Sequence, residues 1–402
     1  MIYSLSNEIS TNRRLAFRKS FFEESLIEGQ KYFIGQVIDE LRTQKESGAP
    51  YDALVIPGDI YDRAVPPADA VTAFGDFLAH LHTEFPELKT LLLSGNHDSP
   101  ERLAFAKEIL HSANIHICTD CRKITEPVIV KNAAFYQLPY LTAGCISKGG
   151  GELFSEPLRT QQDLLDEAVR QIETVHKSKY ADLDAVLCAH LFTAGALGSD
   201  SERGAVGNTE QISADSLRFF TYVALGHLHK MQKAGKNTYY SGSPLAYSFD
   251  ESGTQKVMLR VVIENGDFKV EKIEVNPLRR CTVINDTFDT IYGTSKYDDC
   301  KNDYIQIVCK DKTAIANPMN ILRSKFPFVL SFTYESAAYS LLKEEQNLER
   351  RSLLASSRTQ PEEIFTSFLK SVYGDAAFSE DKTFEDEIKL FAQFSRDSED
   401  WR

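Results

Sequence analysis

Several side chains that can hold a metal or move a proton stand directly behind short apolar runs. Asp59 and Asp62 lie in "GDIYD" after "ALVIP"; Asn96, His97 and Asp98 lie in "GNHD" after "TLLLS". His190 follows "AVLCA", and His227 and His229 follow "YVALG". His, Asp and Asn form a nitrogen/oxygen ligand set without thiolate, which suits Mn²⁺, Fe²⁺ or Zn²⁺ in a hydrolytic site. Taken singly, each has a bland reading: a His behind a strand is usually a satisfied polar residue, and an Asp after Gly is usually a turn residue. Taken together they do not, because four of the nine His in the chain fall in these motifs. The other five, His80, His82, His111, His116 and His176, fall in helical or edge positions and keep the bland reading.

The elements that must carry these residues read as an α/β layered core. The four runs, at 53–57, 90–94, 185–189 and 222–226, fit strands covered on both faces. Helical periodicity lies between them, over 28–46, 68–84 and 161–177, and alternation of this kind gives α/β layers. Ligand sites in such sheets lie beyond the carboxyl ends of the strands, so the six groups Asp59, Asn96, His97, His190, His227 and His229 are expected to converge on one cleft. After residue 236 the pattern turns antiparallel, with a hairpin at Asn265-Gly266. Residues 276–340 read as a smaller α+β segment, with strands near "YIQIVC" and "FVLSFTYE" and a helix around 315–325. From 341 to 402 the chain is charged and helical, with Pro361 suited to a helix start and Gly374 to a helix end. The polar loop at 197–210 is the best candidate for a mobile segment.

The formal net charge of −13 argues against non-specific adhesion to nucleic acid or anionic lipid. It does not exclude a nucleic-acid enzyme, since a local basic strip or a partner can supply phosphate contacts. Seven Cys, without a recognisable secretory signal, suggest reduced thiols and a cytoplasmic protein. Cys118 and Cys121 form one C-x-x-C with no second pair nearby, so a zinc knuckle is not expected. No run approaches the roughly 18–20 apolar residues of a membrane span.

In order and spacing, these motifs resemble the calcineurin-like metallophosphoesterases. Within them, "PGDIYDRAVPPADAV", "LSGNHDSPERL", "YVALGHLHKMQ" and "YSGSPLAYSFDESG" resemble the SbcD group, nuclease subunits related to the Mre-type repair nucleases. The resemblance implies an αββα two-sheet sandwich over 1–275, a small α+β capping domain over 276–340 and a helical partner-binding tail over 341–402. It implies two divalent ions, with Mn²⁺ the first choice. Asp59 would bridge them, Asn96, His190 and His227 would complete one site, and His229 would bind the other ion. His97 would protonate or position the leaving oxygen, with Asp98 grouped beside it to orient the imidazole and Asp62 supporting the ligands. The implied activity is DNA cleavage, as a 3′–5′ double-strand exonuclease and a single-strand or hairpin endonuclease. The implied partners are DNA and an SbcC-type coiled-coil ATPase, with a homodimer inside a heterotetramer and no membrane.

One motif departs from that pattern. Where the family has Asp-x-His-x-Gly, this chain has Arg14-Leu15-Ala16-Phe17-Arg18. Two ligands of one ion are missing, and a guanidinium cannot deprotonate to replace them. One set of codons for these five residues, read one base later, encodes Asp-Trp-His-Phe-Gly. Residues before about Lys19 are therefore read as out of frame, through a lesion or a sequence error. The alternative is a true extension on a diverged relative. "MIYSLSNEIS" also lacks the apolar strand that normally carries the motif, so that sheet is expected to be poorly formed there. Two rivals follow: an inactive subunit that still docks the ATPase, and a phosphatase or phosphodiesterase for small substrates.

Overall fold

The computed structural model describes residues 2–4, 26–141, 160–194, 196, 211–313 and 315–335, together with 365–366, 384 and 388–391. Arg14, Ala16, Arg18, the 197–210 loop, Pro361 and Gly374 lie outside the described residues.

Two six-stranded sheets form the core. The first contains β1 (Ile2–Ser4), β2 (Ala53–Ile56), β3 (Lys89–Leu93) and β4 (Ile115–Cys118). The second contains β5 (Val128–Val130), β6 (Ala133–Leu138) and β7 (Asp184–His190). The short strands β8 (Phe192–Thr193) and β9 (Gln211–Ile212) pair with each other. Then β10 (Tyr222–Gly226), β11 (Gln232–Lys233) and β12 (Thr238–Tyr240) complete the second sheet. The long hairpin β13 (Lys256–Glu264) and β14 (Asp267–Val275) completes the first. The strand orders are β14-β13-β1-β2-β3-β4 and β11-β12-β10-β7-β6-β5. The hairpin turns at Asn265 and Gly266 with φ of +54° and +80°, the left-handed pair that a two-residue turn demands.

Strand periodicity builds the layers. In β2, Leu54 and Ile56 pack under the helices Ile27–Glu46 and Ala68–Glu84, while Ala53 and Val55 face the other sheet. In β7, Val186 and Cys188 face that shared interior, while Leu187 and Ala189 pack under the helix Gln161–Lys179. Tyr222 and Ala224 of β10 point inward and Val223 and Leu225 outward by the same alternation. The result is the αββα sandwich. The helix Gln161–Lys179 starts where Thr160 and Asp163 cap each other's backbone N–H at 3.1 Å.

Near the start, where the sheet is expected to be poorly formed, the strand is only three residues long. Ile2–Ser4 pairs with β2 in parallel (Ser4 with Val55) and with β13 in antiparallel. Ladder pairing needs only an extended backbone between two strands, so a three-residue segment suffices without a long apolar run.

In the 276–335 region, β15 (Cys281–Asp286), β16 (Tyr304–Cys309) and β17 (Val329–Tyr334) form a three-stranded sheet, with helices Phe288–Gly293 and Pro318–Arg323 between them in the chain. The chain divides into two compact units. One holds 1–284, 289–307 and 317–332; the other holds 285–288, 308–316 and 333–402. Within the second, the Phe365 ring stacks on Phe391, centroids 4.3 Å apart. Burial pushes the Cys118 thiol up to about 11. Among the described residues, no helix is long and apolar enough to cross a membrane.

Candidate metal centre

The parallel strands β2 and β3 of one sheet and β7 and β10 of the other end at the same edge of the sandwich. Asp59, Asn96, His190 and His227 meet there. Glycines make the approach possible. A Cβ on Gly226 would lie 1.9 Å from the Pro57 carbonyl oxygen, and one on Gly95 would lie 2.1 Å from Asp59 Oδ1. One on Gly58 would lie 2.3 Å from His190 Nδ1. Asp59 (φ +50°) and His227 (φ +106°) both occupy the left-handed region that side chains avoid. Such strain costs about 1–3 kcal/mol per residue and collects at functional sites.

The donors and acceptors do not balance. Pro57 O lies 2.9 Å from His190 Nδ1, so that nitrogen donates and leaves the Nε2 lone pair facing inward. His190 Nε2 is 2.9 Å from Asn96 Oδ1 and 3.2 Å from Asp59 Oδ2. His227 Nδ1 is 3.2 Å from Asn96 Oδ1 and 3.3 Å from His190 Nε2. Ligand atoms of Asp59, His190 and His227 all lie within 4.8 Å of one another, each residue buried. His227 Nε2 is also buried without a hydrogen-bond partner. Two imidazoles, a carboxylate and an amide oxygen aimed at one point form a nitrogen/oxygen set that fits a divalent ion.

Charge follows the same logic. Burial works to raise Asp59, but the imidazoles of His190, His97 and His227 override it and hold the carboxyl well below its usual range. Burial and the nearby His190 press His227 down to about 3, which favours the neutral imidazole. Burial lowers His190 as well, and the Asp59 carboxylate beside it prevails and raises it.

The remaining predicted residues sit around this cluster. His97 is half-buried, with Nε2 3.2 Å from Asn96 Nδ2 and its backbone N–H donated to Asp59 Oδ1 at 3.1 Å. Asp98 is buried and accepts from the backbone N–H of Ile60, Tyr61 and Gly95 at 2.9–3.1 Å, tying the two loops together. Burial and Asp59 push it up to about 7 against the pull of those donors. Asp98 therefore builds the loops that present Asp59 and Asn96. Asp62 is buried, with Arg63 Nε 4.0 Å away. His229 is buried outside the trio, its Nδ1 3.5 Å from Glu251 Oε1. His176, given the bland reading, is a satisfied core residue between Tyr136 Oη (3.0 Å) and Leu183 O (3.1 Å).

Sequence reading missed Glu251 and Lys256. Both are buried and ion-paired behind His229. The only signal was their place in and just after "YSFDESG", where an acidic residue reads as a turn.

A family model for calcineurin-like phosphoesterase matches residues 27–231, just over half of the 402. A solved structure, that of a hypothetical protein from Pyrococcus horikoshii OT3, is similar over 69% of this chain and 89% of its own. At 12% identity and a TM-score of 0.28, that likeness carries no argument.

Proposed function

This chain belongs to the calcineurin-like phosphoesterase family of metal-dependent phosphoester hydrolases, and from that premise we propose that it is the DNA-cleaving subunit of an SbcC–SbcD-type repair complex, working in the cytoplasm. The observation that carries the hydrolytic reading is the convergence of Asp59, Asn96, His190 and His227 on one inward-facing cluster. The finer reading of DNA as substrate rests on the motif strings around Asp59, Asn96, His227 and residues 240–253.

Asp59, Asn96, His190 and His227 would hold one divalent ion, and Asp59 with His229 would contribute to a second, with Mn²⁺ the proposed metal. When bound, such ions supply Lewis acidity toward a phosphodiester and an activated water. The chain's own residues do the rest. Gly58, Gly95 and Gly226 let the two sheets close on the site. Pro57 fixes the His190 tautomer. His97 sits beside Asn96 with partial exposure, where its imidazole can give a proton to the departing oxygen. The proposed partners are DNA, an SbcC-type ATPase on the tail, and a second copy of the chain. For the last, Phe105 (83% exposed), in the turn before the helix Lys107–Ser112, and Ile109 (74%), within that helix, offer an uncovered surface close behind the "GNHD" loop.

A second reading is favoured by Arg14-Leu15-Ala16-Phe17-Arg18: a subunit that docks the ATPase but does not cut. The test is cleavage of hairpin-ended duplex DNA with Mn²⁺, ATP and an SbcC-type partner, comparing this chain with Arg14→Asp/Ala16→His/Arg18→Gly. Cutting by either chain, lost in Asn96→Ala, supports the nuclease. Cutting confined to the triple variant assigns the inactive reading to the chain as it stands. Hydrolysis of nucleotide monoesters without any cleavage of DNA would overturn the proposal.

A further inference from the structure

We propose that Glu251 is a positioning residue that fixes the ring of His229 for metal binding, with Lys256 as its counter-charge; this rests on the reading of His229 as a ligand. The two His of "GHLH" are held in different ways. His227 turns toward Asn96 and His190. His229 turns its Nδ1 to Glu251 Oε1 at 3.5 Å, in a pocket where the His side chain is 6% exposed and the Glu side chain 0%. The 3-10 turn Phe249–Glu251 delivers the carboxylate there.

That carboxylate is itself immobilised. Its Oε1 accepts the Tyr247 N–H at 3.2 Å and the Ser248 hydroxyl at 3.1 Å. Its other oxygen takes the Lys256 ammonium. Burial works to raise Glu251, yet the His229 hydrogen bond and the Lys256 charge hold it down at about 2. Three donors besides the His229 ring thus hold its two oxygens in place.

Lys256 also reaches past the carboxylate. Its ammonium donates to the His229 carbonyl at 3.0 Å and to Ser243 Oγ at 2.9 Å, and the Ser243 N–H donates to the same carbonyl at 3.1 Å. One ion pair thus grips His229 by ring and by main chain, while Tyr247 closes the ring edge at 5.3 Å. A carboxylate on Nδ1 selects the tautomer with its proton there and leaves Nε2 as the lone-pair nitrogen for a metal.

The test is ¹⁵N-histidine NMR on the metal-free full-length chain above pH 8, where imidazoles are neutral. The proposal expects His229 to carry its proton on Nδ1. In Glu251→Leu/Lys256→Met, which removes both charges together, His229 should shift toward the Nε2–H form favoured by free histidine. His190 and His227 should keep their signals, which reports an intact fold. Mn²⁺ affinity at the His229 site should fall by about 10–100-fold in that variant. A wild-type His229 protonated on Nε2, or a double variant with unchanged tautomer and Mn²⁺ affinity, overturns the proposal. If the variant does not fold, the wild-type tautomer alone decides. Unchanged Mn²⁺ binding in His229→Asn would instead show that His229 is no ligand, a failure of the functional reading that the tautomer measurement separates from this one.

Discussion

Adding a single methyl group at Gly226 should damage the metal centre from behind. The new Cβ would fall 1.9 Å from the Pro57 carbonyl oxygen and 3.0 Å from His190 Nδ1. A carbon meets a carbonyl oxygen comfortably at about 3.3 Å, so the two sheets must part by more than 1 Å at this point. Pro57 O is also the acceptor that orients His190, at 2.9 Å, so moving it loosens the ligand as well as the packing. Overpacking costs about 1–3 kcal/mol and the strained hydrogen bond about 1 kcal/mol more, giving a loss of about 2–4 kcal/mol. Mn²⁺ affinity should drop by about 10–100-fold, the usual effect of disturbing the support of a ligand. Urea denaturation of Gly226→Ala and titration with Mn²⁺ measure both. Gly35→Ala is the control. That glycine lies in an exposed helical position where an added methyl would meet nothing within 4 Å, and alanine there should stabilise by roughly 0.5–1 kcal/mol. A Gly226→Ala protein as stable as wild type, with unchanged Mn²⁺ affinity, would refute the claim that contact between the sheets sets the site.

Other outcomes follow from the same geometry. Lys256→Met strands the Glu251 carboxylate in the interior and should cost about 3–5 kcal/mol in urea unfolding, whereas Lys269→Met, at an exposed pair, should cost little. His116 is pushed down to about 4 by burial first, then by His111 and Lys89. The unfolded chain therefore binds that proton more readily. Stability from this group is full above about pH 6.5 and is lost as pH falls toward 4, so His116→Gln should flatten the urea midpoint over that window. Phe105→Ser/Ile109→Ser should convert a dimer to a monomer by light scattering without lowering the melting temperature, and an unchanged mass would remove that surface from the account.

The helices were legible because each carries a strong period, and the central strands because each is a short continuous apolar run between turn signals. Residues 68–84 and 222–226 match their expected bounds, and 161–177 extends only to Lys179. The site was legible because its candidate ligands stand at the last residue of an apolar strand, as His190 does, or within three residues of its end. Less legible was anything set by tertiary context. β1 is three residues long and is stabilised by its neighbours rather than by its own pattern. Glu251 and Lys256 read as ordinary surface charges until the fold buries them against His229. Asp98 was grouped with His97 in the sequence; the fold adds a difference, three backbone N–H donors that tie it to the two loops. That difference lies in where N–H groups point, which no spacing in the sequence records.

The most direct measurement is a titration of the metal-stripped chain with Mn²⁺, following the free-ion EPR signal, in wild type and in Asp59→Asn and His227→Ala. The account predicts saturable loss of the free signal in wild type, and binding weakened by at least tenfold in both variants. Absence of binding in wild type, or equal binding in all three proteins, would contradict the assignment of Asp59, Asn96, His190 and His227 as a metal centre.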